Sequence, residues 1–272
     1  MFSKFKLKEI KYSDIKDYEG IGQEYYENIK KDIQNSLKEF IGLDGIIDGT
    51  KLQENWFPTK QKFDVFLSHS HNDEKLAICL AGFLKEKLDL DTFIDSCLWG
   101  YSNELLKGLD KKYCMYSDGV SYDYDKRNYS SSHVHMMLSI ALSRMIDNCE
   151  TVFFLNSENS ICLSEEIDKE RTSSPWIYNE LSMADIIQIR KYAEYRKKTY
   201  LEFAHREHET LYESPNLHIQ YKVNDILKKF ISLSYCDLRN CAEKWEINIE
   251  NFQSSLDYIY LLKGVFKLDN DS

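Results

Sequence analysis

No apolar run in this sequence approaches the roughly 18 residues that suggest a membrane span, so no membrane contact is expected. Basic residues are not in surplus either. The 35 Lys and Arg stand against 45 Asp and Glu, a formal charge of -10, and a nucleic acid as main partner asks for the opposite balance on at least one face. A few local donors can still hold a small anionic ligand. The seven cysteines are an odd number, scattered without a C-x-x-C pair, which argues against a disulfide framework and a zinc ribbon. The opening MFSKFKLKEIKYSDIKDY lacks an apolar h-region and a small-residue cleavage site, so no signal peptide and a cytoplasmic location are expected. Walker A, G-x-G-x-x-G and H-E-x-x-H motifs are absent, as are internal repeats.

What is present is enough for a core: 43% of residues are hydrophobic and 14% aromatic, which speaks against wholesale disorder. Residues 1-60 read as a helical N-terminal extension, because Ile29, Ile33, Leu37 and Ile41 recur at four-residue steps. At Lys62 the character changes. KFDVFLSHS reads as a buried strand opening into a polar loop, NDEKLAICLAGFLKEKL as a helix, and LDTFID as a second strand. NELLKGLDKKY predicts a short helix, the Tyr-rich MYSDGVSYDYDKRNYSSS a loop, HVHMMLSIALSRMIDNC a helix and TVFFLN a third strand. Beyond Lys191, RKYAEYRKKTYLEFAHREHETLY reads as a charged helix and NLHIQYKV as a strand. NDILKKFISL and ENFQSSLDYIYLLKGVF read as closing helices.

This alternation predicts an α/β fold with a central parallel β-sheet flanked by helices. Ligands of such sheets bind beyond the carboxyl ends of the strands. The three strands end in SHS, DSC and NSENS, so polar groups gather on that edge.

Each candidate residue carries a plain reading beside a functional one. Trp176 and Glu180 stand four apart, on one face of a proline-opened helix, either as core anchor and solvated charge or as wall and working acid of a pocket. Ser68 either binds ligand or caps the next helix, and His69 is a ligand contact or an ordinary loop residue. Asp95 binds a hydroxyl or forms a turn. Trp99, just before Gly100, stacks on a base or anchors its loop. Tyr116, Tyr122, Tyr124 and Tyr129 suit a nucleotide base or a protein interface. His133-x-His135 diverges on a helix, and His205 with His208 lacks a third ligand, so no metal site is expected.

Taken in order, DVFLSHSHND, FIDSCLWGYSNELLKGL, and TVFFLNS followed by SPWIYNEL resemble the TIR (Toll/interleukin-1 receptor) domain, especially its bacterial members. The likeness covers about residues 62 to 190 and includes the W-x-x-x-E spacing. It implies a flavodoxin-like TIR domain over 61-235, with an insertion at about 113-148 and a C-terminal helical extension over 236-272. It also places a BB-type loop with its glycine after the second strand. Enzymatic members cleave the nicotinamide–ribose bond of NAD with a glutamate, a role that falls on Glu180 here. Ser68, His69, Asp95, Trp99 and Trp176 would then bind substrate. The resemblance further implies NAD as substrate with no separate cofactor, and self-association through the TIR domain. A downstream effector sensing a cyclic ADP-ribose product, in antiphage immunity, is a further implication. The rival implication is a non-catalytic adaptor that only binds proteins.

Overall fold

The computed structural model describes residues 1–31, 47–57, 62–163, 170–191, 221–248 and 252–265. Among these, five strands form one parallel sheet: β1 (Ser3–Lys8), β2 (Val65–Ser68), β3 (Thr92–Ile94), β4 (Thr151–Leu155) and, last in sequence, the strand Ile231–Ser234. The spatial order is β3, β2, β4, β1 and then Ile231–Ser234, every neighbouring pair running parallel. Val65–Ser68 and Thr151–Leu155 are buried along their whole length, as strands covered on both faces must be, which explains their continuous apolar runs.

The helices that cover the sheet follow the expected periodicity. α1 (Glu19–Lys31) and α2 (Gly49–Trp56) precede β2, and α3 (Glu74–Leu88) joins β2 to β3. α4 (Ser96–Leu109) and α5 (Tyr124–Asn148) form the crossover from β3 to β4. α6 (Pro175–Ile186) follows β4, and α7 (Tyr235–Asn248) and α8 (Ser255–Leu262) close the described chain. α1 and α3 cross very closely. A Cβ on Gly82 would lie 2.3 Å from the Tyr18 carbonyl oxygen, and one on Gly22 would lie 2.0 Å from that of Ile78. A small antiparallel sheet of Cys162–Leu163, Glu170–Thr172 and Tyr221–Lys222 stands apart from the main one.

Several expectations are corrected. The amino-terminal segment is not purely helical, because β1 lies inside the sheet between β4 and Ile231–Ser234. Its charged alternation, KFKLK, hides a strand. Phe5 and Leu7 enter the core, while the opposite-facing Lys4 and Lys6 are also buried, their ammonium groups paired with Asp185 and Glu170. Nor is the region after β3 a loop. α4 begins at Ser96, so Gly100 lies inside a helix instead of in a BB-type loop. The Tyr-rich stretch is only partly a loop, since α5 already begins at Tyr124. Ile231–Ser234, expected within a helix, is a strand because it completes the sheet beside β1. The charged segment after Lys191, with His205 and His208, lies outside the described residues, as do Ile33, Leu37 and Ile41.

Candidate functional site

The carboxyl edge of the sheet is built by extending the β2–β3 ladder one step. The Asp95 amide donates to the Leu67 carbonyl at 3.2 Å, which sets Asp95 beside Ser68 and His69. The Asp95 side chain does not cap α4; it accepts the His69 backbone N–H at 3.0 Å, and the His69 Nδ1 contacts the same carboxyl. Asp95 stands in the turn between β3 and α4, and its carboxyl is buried.

α6 supplies the opposite wall. Ser174 caps it through a bond from the Ile177 amide, and Pro175 occupies the first turn, where its missing N–H costs nothing. Its inner face buries Ile177, Glu180, Leu181 and Ala184, the i, i+3, i+4, i+7 stripe of an amphipathic helix with a carboxyl in place of one apolar residue. Glu180 is only 2% exposed. Ser68, expected as a possible helix cap, instead donates its hydroxyl to Glu180 Oε2 at 2.6 Å. The Asp95 carboxyl is near enough to raise the Glu180 pKa by its charge.

Ser68, His69, Asp95 and Glu180 therefore meet in one buried cluster. Burial dominates their electrostatics, because it penalises the charged form of each group. It pushes the Glu180 carboxyl well up, with the adjacent Asp95 adding to the rise. It pushes Asp95 up to about 8 and the His69 imidazole down to about 4. A neutral imidazole beside two carboxyls that resist ionisation is the state this burial favours.

The other sequence candidates lie differently. Trp176 is half-buried, and its ring meets His135 of α5 edge-on, with centroids 5.5 Å apart. The plain reading had placed the tryptophan in the core and the glutamate at the surface; the structure puts Glu180 inside and leaves Trp176 partly exposed. Trp99 sits one turn into α4, and its side chain lies outside the described residues. The helix α5, from the 113-148 stretch, packs against α4 and α6, and Ser139 donates to Asn179 at 3.4 Å. Its tyrosines Tyr124 and Tyr129 are exposed, like Tyr116 and Tyr122 before it. A cavity of about 810 Å³ opens beside α2 and the first turns of α5, lined by Leu52, Leu109, Tyr113, Tyr129 and Met137 among others, and contains none of the cluster residues.

Among the described residues, no group of three His, Cys, Asp or Glu is placed to hold a metal ion. No described helix is long and apolar enough to cross a membrane. The role of Asp73 as a neighbour of the site escaped sequence reasoning. It accepts hydrogen bonds from Ser157 and Asn159, tying the loop after β2 to the one after β4. No family model, curated protein or solved structure matches the chain.

Proposed function

We propose that this chain cleaves the nicotinamide–ribose bond of NAD, with Glu180 as the catalytic carboxyl. The products would be nicotinamide and ADP-ribose or a cyclic ADP-ribose signal. The observation that supports the reading is the Glu180 carboxyl held by Ser68 at the carboxyl edge of a parallel sheet, where ligands of such sheets bind. Nicotinamide departs from a positively charged pyridinium, so no general acid has to protonate it, unlike the leaving group of an ordinary glycosidase. The chemistry asks for a carboxylate beside an oxocarbenium-like ribose, and Glu180 is the residue suited to that task. Water produces ADP-ribose; a nucleophile within the ADP-ribose itself closes the ring.

With Glu180 buried, substrate reaches it only after the elements over the carboxyl move apart. Self-association, and a partner that senses the product in antiphage defence, belong to the same proposal through the TIR resemblance. The burial of Glu180 also favours a second reading, a non-catalytic adaptor in which the cluster only pins α6 to the sheet. Chromatography of NAD incubated with the parent, Glu180→Ala and Glu180→Gln at high protein concentration separates the two. Nicotinamide released by the parent and lost in both folded variants supports the enzyme. Release that persists in the variants rejects Glu180, and intact NAD throughout favours the adaptor.

A further inference from the structure

We propose that the cavity between α2 and the first turns of α5 binds a flat aromatic acid, its rings against the apolar base and aromatic wall and its anionic group at Lys126. The inference stands apart from the NAD reading, since the cavity contains none of Ser68, His69, Asp95 and Glu180.

The cavity lies where the core gives out along α5. From Val134 onward the helix buries an apolar stripe that runs through Leu138, Leu142 and Met145. Its first turns, from Tyr124 to His133, bury no side chain. Lys126, Tyr129, Ser130, His133 and Met137 nevertheless share one face, at i, i+3, i+4, i+7 and i+11, and that face lines the cavity. Polar contacts hold the helix there in place of packing. Asp110, 5% exposed, accepts Arg127 Nε at 2.9 Å and the Ser130 hydroxyl at 2.5 Å. Asp110 also opens a π-helical turn, Asp110–Cys114, which extends α4 and carries Tyr113 and Cys114 to the cavity. Such turns recur at functional sites.

The lining sets the ligand class. Leu52, Leu109 and Cys114 are buried, so the base is apolar, and an apolar void takes apolar rings more readily than water. A volume of about 810 Å³ falls within the usual range of small-molecule sites. Tyr129 and His133 meet edge-on, with centroids 4.5 Å apart, and Tyr113 adds a third ring. Tyr129 is 71% exposed, an aromatic surface left in water that a planar ligand would cover.

Charge selects an anion. Lys126 lines the cavity and makes no ion pair among the described residues. A second cation, Lys112, lies over the Tyr113 ring at 5.3 Å. The neighbouring acids are committed: Asp110 to Arg127 and Ser130, Asp118 to the Val120 and Ser121 amides, and Asp123 to the Lys126 amide as the cap of α5. Asp125 also lines the cavity, but it stands in the first turn of α5, where the helix dipole already favours a carboxylate.

Fluorescence titration of the full chain with anilinonaphthalene sulfonate, an aromatic monoanion, and with N-phenylnaphthylamine, its uncharged counterpart, tests both halves. The folded parent is expected to bind the sulfonate saturably at one site per chain, more tightly than the amine. Met137→Trp fills the cavity and should abolish binding of both. Tyr129→Ala, at an exposed ring outside the core, should weaken both about tenfold. Lys126→Gln should cut the sulfonate's advantage over the amine about fivefold. A parent that binds neither dye saturably overturns the inference. So do Met137→Trp and Tyr129→Ala chains that bind as the parent does, because the dye then sits elsewhere. If Met137→Trp does not fold, Tyr129→Ala decides alone. An advantage unchanged in Lys126→Gln overturns the choice of an acid.

Discussion

Ser68 and Glu180, 112 residues apart in the chain, are joined by a 2.6 Å hydrogen bond between buried side chains. The bond ties the end of β2 to the inner face of α6. Removing the hydroxyl leaves Glu180 Oε2 buried without its donor, a loss of about 1–3 kcal/mol. Ser68→Ala should therefore lower the unfolding free energy by that amount and the urea midpoint with it, with Ser68→Thr a milder change. An unaffected midpoint would mean that water replaces the hydroxyl.

Two glycines in helices should respond with opposite sign. Gly100 lies in α4 with nothing within 4 Å of an added Cβ, so Gly100→Ala should stabilise the fold by about 0.5–1 kcal/mol. Gly82→Ala would drive a methyl into the Tyr18 carbonyl and should destabilise by about 1–3 kcal/mol or more. Thermal unfolding of the two variants checks both. A destabilised Gly100→Ala would restore the loop that the helix α4 replaces.

The half-buried Asp64 accepts the Asp91 amide at 2.8 Å, and burial pushes its carboxyl up to about 6. The folded chain therefore keeps a proton that the unfolded chain loses near pH 4. Its contribution to stability is largest below that pH and falls as pH rises to about 6. Asp64→Asn preserves the acceptor and cannot titrate. The variant should gain relative to the parent between pH 4 and 6, by up to about tenfold in the folding constant per pH unit, and unfolding at the two pH values measures it.

Lys4 Nζ donates to the Ala184 carbonyl and to Asp185, both at 3.1 Å, so one buried ammonium joins β1 to the carboxyl end of α6. Lys4→Met should cost about 1–3 kcal/mol, less than the loss of an isolated buried pair, because Asp185 retains Lys229 at 2.7 Å. A double-mutant cycle with Asp185→Asn isolates the pair; a coupling near zero would show that Lys229 alone satisfies the carboxylate.

The legible parts of the fold were those whose pattern carries its own period. Val65–Ser68, Thr92–Ile94 and Thr151–Leu155 are buried strands of the runs read as strands, and Glu74–Leu88 is the helix its spacing predicts. β1 was not legible, because burial of Lys4 and Lys6 depends on Asp185 and Glu170, acids far along the chain. Gly100 misled for a related reason: a glycine suggests a break, yet α4 runs through it.

For the candidate site, the sequence by itself determined the residue types and the strand ends that carry Ser68, His69 and Asp95. It also determined that a capped, proline-opened helix bears Glu180 one turn after Trp176. Only the tertiary structure decided which way that helix faces. Spacing says that two residues share a side but not which side meets the sheet, and packing of Ile177, Leu181 and Ala184 turned Glu180 inward onto Ser68 and Asp95. Desolvation then raises the pKa of both carboxyls, because burial penalises their charged forms.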